Sequence, residues 1–217
     1  ARRHPPRRPS LLTSALPTPV THPTLVLAST SPYRRDLLQR LGLPFLVAAP
    51  EVDEARQPHE PPEALVTRLA EAKARAVAAE YPQALIIGSD QVACVEEEIL
   101  GKPGNREMAL AQLTQAVNKA VTFHTGLCLL NSATGRAQVC QEPFRVKFRA
   151  LTQAQIAAYV DREQPFNCAG SFKSEGLGIA LFERLEGDDP SALVGLPLIR
   201  LVAMLAAEGL DVLDPKG

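Results

Sequence analysis

The sequence predicts an α/β protein, because apolar runs of strand length alternate with helical patterns along most of the chain. Residues 24–28 form an apolar run that leads directly into a helical pattern at 32–41. A longer helical pattern at 61–81 precedes a second apolar run at 84–87. We therefore expect a sheet whose strands are connected by helices.

Length and composition are those of an ordinary globular protein. The 217 residues suffice for one large domain or two small lobes, and 46% are hydrophobic. A net charge of -1 and the absence of Trp argue against a nucleic-acid-binding surface. Since no apolar stretch approaches the length of a membrane span, we expect neither nucleic acid nor membrane as a partner.

The spacing and surroundings of the four cysteines indicate the redox state of the compartment in which the protein is found. Cys94, Cys128, Cys140 and Cys168 form no CxxC pair, and each lies in or beside an apolar run. Buried free thiols are the expected state, which predicts a reducing compartment and hence a cytoplasmic location.

Residues 1–23 are rich in Pro and Arg and have little hydrophobic periodicity. We expect a disordered arm there, followed by a single domain at 24–217. The sequence leaves open whether the arm contacts an acidic partner or has no function.

The segment between the first strand and the first helix carries unusual chemistry. Ser31 is placed as the helix N-cap, Pro32 occupies the first helical position, and Arg34 and Arg35 follow in the first turn. Arginines are unfavourable there because a helix N-terminus is already partly positive. Backbone N–H, hydroxyl and guanidinium groups together suit a phosphate chain. A capped helix with two solvated arginines is the alternative.

Carboxylates follow two further predicted strands. Residues 44–48 run into the acidic loop 51–54, and residues 84–87 are followed by Gly, Ser and Asp90. An Asp just past a buried strand is a usual position for a metal ligand or general base, although it also forms turns. The acidic loop is either simply solvated or faces a ligand.

Lys73 lies on or beside the apolar face of the helix at 61–81. It either reaches water from the edge of that face or enters a cleft to meet phosphate. The residues expected to form the apolar face are Leu65, Leu69, Ala72 and Ala76.

Lys102 occupies a rigid turn at 101–104. The other predicted elements are an acidic-tipped hairpin at 92–100, a helix capped by Asn105, strands at 120–131 and 137–148, a helix capped by Thr152, a strand at 179–182 and a last helix from 193 to about Gly209.

Cations that suit phosphate, together with carboxylates that suit a divalent metal, predict metal-assisted chemistry on a phosphorylated small molecule. Nucleotides are the leading substrate class.

Six short motifs in order resemble the Maf family of nucleoside triphosphate pyrophosphatases, over residues 24–207. They are Leu-Ala-Ser-Thr-Ser-Pro-Tyr-Arg-Arg at 27–35, Val-Asp-Glu at 52–54, Glu-Ala-Lys-Ala at 71–74, Gly-Ser-Asp-Gln at 88–91, Gly-Lys-Pro at 101–103 and Val-Gly-Leu-Pro at 194–197.

This resemblance implies a twisted mixed sheet flanked by helices, in two lobes with a cleft between, often as a homodimer. It implies hydrolysis of the α–β phosphoanhydride with a divalent metal, Mg or Mn. Asp90 would be the proton acceptor and Glu54 would help it to hold the metal. The residues implied to bind phosphate are Ser29, Arg34, Lys73 and Lys102.

The chain further resembles the subgroup that acts on 7-methyl-GTP. Tyr33 would stack on the cationic methylated guanine, and Glu175 would accept from its N1–H and 2-amino groups. Gln91 is the third candidate for base specificity. The alternatives are the same chemistry on dTTP, UTP or another modified nucleotide, and a nucleotide-binding regulator of septum formation.

Overall fold

The computed structural model describes residues 22–214, which contain a seven-stranded mixed sheet. Most of the predicted arm, residues 1–21, lies outside the described part, as do residues 215–217. The strands are β1 Thr24–Ala28, β2 Leu46–Ala48, β3 Ala84–Val95, β4 Glu98–Leu100, β5 Ala120–Asn131, β6 Ala137–Phe148 and β7 Phe182–Glu186.

The strand order is β2-β1-β3-β5-β6-β7, and β4 pairs with β3 on the side where β1 also pairs. β1 is parallel to both β2 and β3, whereas β3, β5, β6 and β7 are joined by antiparallel ladders. The predicted α/β class and mixed sheet are therefore confirmed.

Helices cover both faces of the sheet. They are α1 Pro32–Gln39, α2 Pro62–Ala76, α3 Arg106–Ala116, α4 Gln153–Glu163, α5 Pro190–Val194 and α6 Leu198–Ala207. Ser31, Asn105 and Thr152 cap α1, α3 and α4 as predicted, since each side chain accepts a hydrogen bond from a backbone N–H in the first turn.

Three predictions of local structure were wrong. Residues 177–181 form a 3₁₀ turn rather than a strand, because the loop folds back and the Gly178 N–H donates to the Lys173 carbonyl at 3.0 Å. The last helix is broken into α5 and α6 around Gly195, whose φ is +133°. In α2, Ala72 and Ala76 are not among the buried residues, which include Val66, Ala70 and Ala74.

Strands β3, β5 and β6 connect separate apolar cores. One half of the sheet packs with α3 and α4 around Leu113, Phe123 and Ile156. The other half has a core on each face, one against α6 and one against α2. No helix within residues 22–214 is both long and apolar enough to span a membrane.

Candidate active site

A cleft opens where β3 changes its neighbour. β1 pairs with β3 up to Ile87, and β4 pairs with it from Ala93 onward. Between these points, residues 88–92 of β3 have no strand on that side among those the structure describes. The cleft there has a volume of about 590 Å³, a size suited to a small-molecule ligand.

All nine residues that the sequence analysis proposed for the site line this one cleft. They are Ser29, Tyr33, Arg34, Glu54, Lys73, Asp90, Gln91, Lys102 and Glu175. The structure thus brings together residues from six separate motifs or loops.

The turn between β1 and α1 forms one wall of the cleft. Ser31 caps α1 by accepting from the Arg34 N–H at 3.3 Å, and Pro32 begins the helix. Ser29 is buried, and its Oγ accepts from the Ser31 N–H at 3.1 Å. Its own hydroxyl proton therefore remains available to an anionic ligand.

Arg34 presents a positive charge to the cleft. Its Nε donates to the Gly195 carbonyl at 2.7 Å, and within residues 22–214 no carboxylate forms a salt bridge with it. Burial lowers the pKa of Arg34, while the charges of Asp90 and Glu54 act in the opposite direction. A desolvated guanidinium that lacks an ion pair favours binding of a phosphate. Arg35, by contrast, is exposed.

Lys73 and two carboxylates form the centre of the cleft. Lys73 Nζ lies 2.7 Å from Asp90 Oδ1 and 2.8 Å from Glu54 Oε1. Lys73 is 8% exposed and Asp90 is 9% exposed. Lys73 therefore enters the cleft, which decides between the two alternatives for it. Its hydrogen bond and charge hold the pKa of Glu54 below the ordinary value.

The predicted position of Asp90 relative to its strand was wrong. It lies in the middle of the twelve-residue strand β3 rather than just past a strand end. The reason is non-local, because the antiparallel ladder with β5 continues through Asp90 after the parallel ladder with β1 has stopped at Ile87. Asp90 thus faces a gap left by β1 while its strand remains hydrogen-bonded on the other side.

Two glycines let α2 approach the sheet closely. A Cβ added to Gly88 would lie 2.0 Å from the Ala70 carbonyl oxygen, and one on Gly126 would lie 2.0 Å from that of Val66. Gly126 is also the β5 residue directly opposite Asp90. The absence of side chains at these two positions brings Lys73 within hydrogen-bonding distance of Asp90.

Lys102 lies at the exposed rim, between β4 and α3. Its turn is held by a hydrogen bond from the Gly104 N–H to the Phe166 carbonyl at 2.9 Å. The charge of Lys102 contributes to lowering the pKa of Glu54. Like Arg34, it has no salt bridge within residues 22–214, so the cleft offers two cations free of carboxylates.

Tyr33 closes the other end of the cleft. Its hydroxyl donates to Asn167 Oδ1 at 3.2 Å, and Cys168 Sγ donates to that hydroxyl at 3.6 Å. Burial is the main cause that raises the pKa of Tyr33 to about 12. The phenol is therefore neutral at physiological pH, and two hydrogen bonds hold its hydroxyl end. Glu175 is exposed beside it and accepts from Ser174 Oγ at 3.3 Å.

Gln91 is partly engaged elsewhere. Its Nε2 donates to the carbonyls of Ala192 and Leu193 at 3.0 and 3.1 Å, and to Thr125 Oγ1 at 3.1 Å. The amide nitrogen thus ties the end of α5 to the sheet. The amide oxygen is the part of Gln91 best able to meet a ligand.

Glu54 and Asp90 are the residues that fit a divalent metal. No cluster of three or more His, Cys, Asp or Glu within residues 22–214 could hold a metal ion. Two carboxylates converge on one point, however, and Mg²⁺ is commonly bound by one or two carboxylates together with phosphates of a substrate. The donor set fits a metal that is shared with a phosphate ligand.

Sequence reasoning missed three residues that shape the site. Gly126 stands alone in a strand pattern, which is a signal of close backbone approach. Gly195 lies in a quoted motif, but its role in receiving Arg34 depends on the fold. Asn167 carries no local signal, because its contact with Tyr33 spans 134 positions.

Comparison with known proteins covers the same region. The family model described as Maf-like protein matches residues 24–208. A Nitrosococcus oceani protein named 7-methyl-GTP pyrophosphatase is 60% identical over 198 residues, which cover 91% of this chain and 99% of that protein. Proteins of the same name from Alcanivorax borkumensis and Colwellia psychrerythraea are 60% and 59% identical, each over 88% of this chain and 96% and 95% of theirs. The matched region includes every residue of the cleft.

A solved structure was also similar to the chain. It is titled "The structure of the Staphylococcus aureus Ham1 protein" and has a TM-score of 0.42 at 13% identity, covering 58% of this chain and 71% of that chain.

Proposed function

This chain belongs to the Maf family, and we propose that it is a pyrophosphatase that hydrolyses 7-methyl-GTP to 7-methyl-GMP and pyrophosphate. The observation that carries the proposal is one cleft that combines two cations free of carboxylates with the Lys73–Asp90 pair. Relatives at 59–60% identity, which share nearly their whole length with this chain, bear that enzyme name.

The phosphate chain would occupy the wall formed by β1 and α1. Arg34 and the Ser29 hydroxyl face the cleft there, and Lys102 lies across it at the rim. Guanidinium and ammonium groups together spread positive charge along a triphosphate. Their attraction to the phosphate oxygens strengthens as negative charge builds up on those oxygens during cleavage. We propose that Lys73 joins them once a phosphate is present.

Asp90 is proposed as the proton acceptor. Water adds to phosphorus, the bridging α–β P–O bond breaks, and the water proton passes to the Asp90 carboxylate. The products are a nucleoside monophosphate and pyrophosphate. Glu54 and Asp90 would hold a divalent metal, Mg or Mn, which supplies charge neutralisation and orients water when bound.

The base would meet Tyr33, Glu175 and Gln91. The ring of Tyr33 can stack on 7-methylguanine, whose methylation gives the base a positive charge, with a gain of about 1–2 kcal/mol when desolvated. Glu175 can accept from N1–H and the 2-amino group and balance that charge. Homodimer formation, which the family resemblance implies, is a separate proposal that light scattering can measure.

The proposal is tested by a panel of nucleoside triphosphates with Mg²⁺ or Mn²⁺, following pyrophosphate release. We expect 7-methyl-GTP to have the highest kcat/KM. A higher kcat/KM for dTTP or UTP would show that the proposed substrate is wrong, although the proposed type of reaction would still hold.

Asp90→Asn separates catalysis from binding in the same assay. It should lower kcat by roughly 10²-fold or more while the protein stays folded, because it removes the proton acceptor and one metal ligand. If kcat were unchanged, Asp90 would not have this role. A protein with only a nucleotide-binding, regulatory function would release no pyrophosphate even before substitution.

A further inference from the structure

The three cations of the cleft differ in their partners. Within residues 22–214, Arg34 and Lys102 form no salt bridge, whereas Lys73 Nζ contacts Glu54 Oε1 at 2.8 Å and Asp90 Oδ1 at 2.7 Å. These are the same two carboxylates that fit a divalent metal. An ammonium group of the protein therefore already lies at the point where the metal ligands converge.

The ammonium and a divalent metal would compete for these oxygens. A Mg²⁺ ion bound to either oxygen would be within about 5 Å of Nζ, because Mg–O distances are about 2.0–2.1 Å. Like charges at that separation repel strongly in a partly desolvated site. Metal binding thus requires that Lys73 first leave at least one of the carboxylates.

When Lys73 leaves a carboxylate it loses an ion pair, which another anion can replace. Lys73 is 8% exposed, and a buried ammonium without a partner is strongly unfavourable. The four-carbon stem of lysine is flexible, so Nζ can turn to a nearby phosphate oxygen without movement of α2. A triphosphate held by Arg34 and Lys102 would supply that oxygen.

We propose that Lys73 keeps divalent metal out of the free protein and releases Glu54 and Asp90 only when a triphosphate arrives. Metal binding then depends on nucleotide binding, and Lys73 is a positioning residue for the metal as well as a ligand of the phosphate. This inference rests on the proposed function, because it takes the ligand to be a nucleoside triphosphate.

The test measures Mn²⁺ binding without nucleotide, from the electron paramagnetic resonance signal of free Mn²⁺. The free wild-type protein should bind Mn²⁺ weakly, and Lys73→Met should bind one ion at least about tenfold more tightly, since removal of the ammonium relieves the like-charge repulsion. Lys73→Arg, which keeps the charge, should remain weak. Adding Glu54→Gln to Lys73→Met should remove the gain in Mn²⁺ affinity.

Lys102→Met is the matched control. It removes the same charge from the same cleft but leaves both carboxylates bound to Lys73, so its effect on Mn²⁺ affinity should be much smaller. If the two variants raised Mn²⁺ affinity equally, the cause would be the lower positive charge of the cleft and not removal of the Lys73 ammonium from the metal site. That result would overturn the proposal.

A second outcome would also overturn it. Tight binding of Mn²⁺ by the free wild-type protein would show that Lys73 does not exclude the metal. This measurement needs the wild-type protein alone, so it stands even if Lys73→Met fails to fold. The assay involves no hydrolysis, so a failure of the proposed pyrophosphatase activity would appear in the substrate panel and not here.

Discussion

Gly126→Ala tests whether close packing of α2 sets the Lys73–Asp90 contact. The new Cβ would lie 2.0 Å from the Val66 carbonyl oxygen and 2.4 Å from its carbon. An ordinary contact begins near 3.4 Å, and both atoms belong to the backbone, so helix and strand must separate by about 1 Å or more. The Lys73 Nζ–Asp90 Oδ1 distance of 2.7 Å cannot survive that movement unchanged.

Two effects of different size should follow. Overpacking of this kind lowers the free energy of unfolding by about 1–3 kcal/mol. A misplacement of about 1 Å at a reacting group lowers the rate by roughly 10²-fold. We therefore expect kcat/KM for 7-methyl-GTP to fall far more than stability alone would explain.

The assay pairs pyrophosphate release with urea denaturation, and Gly42→Ala provides the control. Gly42 has a φ of +69° and open space around it, so alanine there adds backbone strain but no contact. Gly42→Ala should lose stability and keep its activity. The reasoning is refuted if folded Gly126→Ala hydrolyses 7-methyl-GTP as well as the Gly42→Ala protein does.

Two further predictions concern the base end of the cleft. Glu175→Ala should lower the preference for 7-methyl-GTP over GTP by roughly tenfold. Both bases offer N1–H and the 2-amino group, but only the methylated base carries the positive charge that the carboxylate balances, and a charge pair at an exposed site contributes about 1 kcal/mol or more. Inhibition by pyrophosphate should not change. Glu183 is another exposed glutamate, so Glu183→Ala serves as the control and should leave the preference intact. Equal losses of activity on all nucleotides would contradict a role of Glu175 in recognising the base. Tyr33→Phe should alter stability at alkaline pH. Since burial raises the pKa of Tyr33 to about 12, from 10.0, the folded state keeps a proton that the unfolded chain loses between pH 10 and 12. Wild-type stability should therefore fall in that window relative to Tyr33→Phe, as urea denaturation at pH 9 and pH 11 can measure, and an unchanged difference would contradict the burial.

Local rules account for the parts of the fold that the sequence predicted well. The Ser31 cap, Pro32 at the helix start and the long strands at 120–131 and 137–148 depend on neighbouring residues, so they were confirmed. The course of β3 through Asp90 depends on its pairing with a strand more than thirty positions away. No local signal could have extended it.

The candidate site, too, has features that the sequence predicts and features that depend on the three-dimensional fold. Family motifs predicted which residues meet in the cleft, and the cleft indeed contains all of them. Which residues pair there could not be predicted. The two salt bridges of Lys73 depend on how closely α2 lies on Gly88 and Gly126, a three-dimensional fit that one sequence does not reveal.

The three long strands have a consequence for folding. β3 contributes Ile87 to one core and Ala93 to another, and β5 does the same with Leu129 and Phe123. Because the cores share these strands, loss of one core removes the support of its neighbour, and we expect denaturation in one cooperative step. The cleft lies midway along the shared strands, so its floor should be among the last parts to open, and the amide hydrogens that bond β3 to β5 there should be among the slowest to exchange.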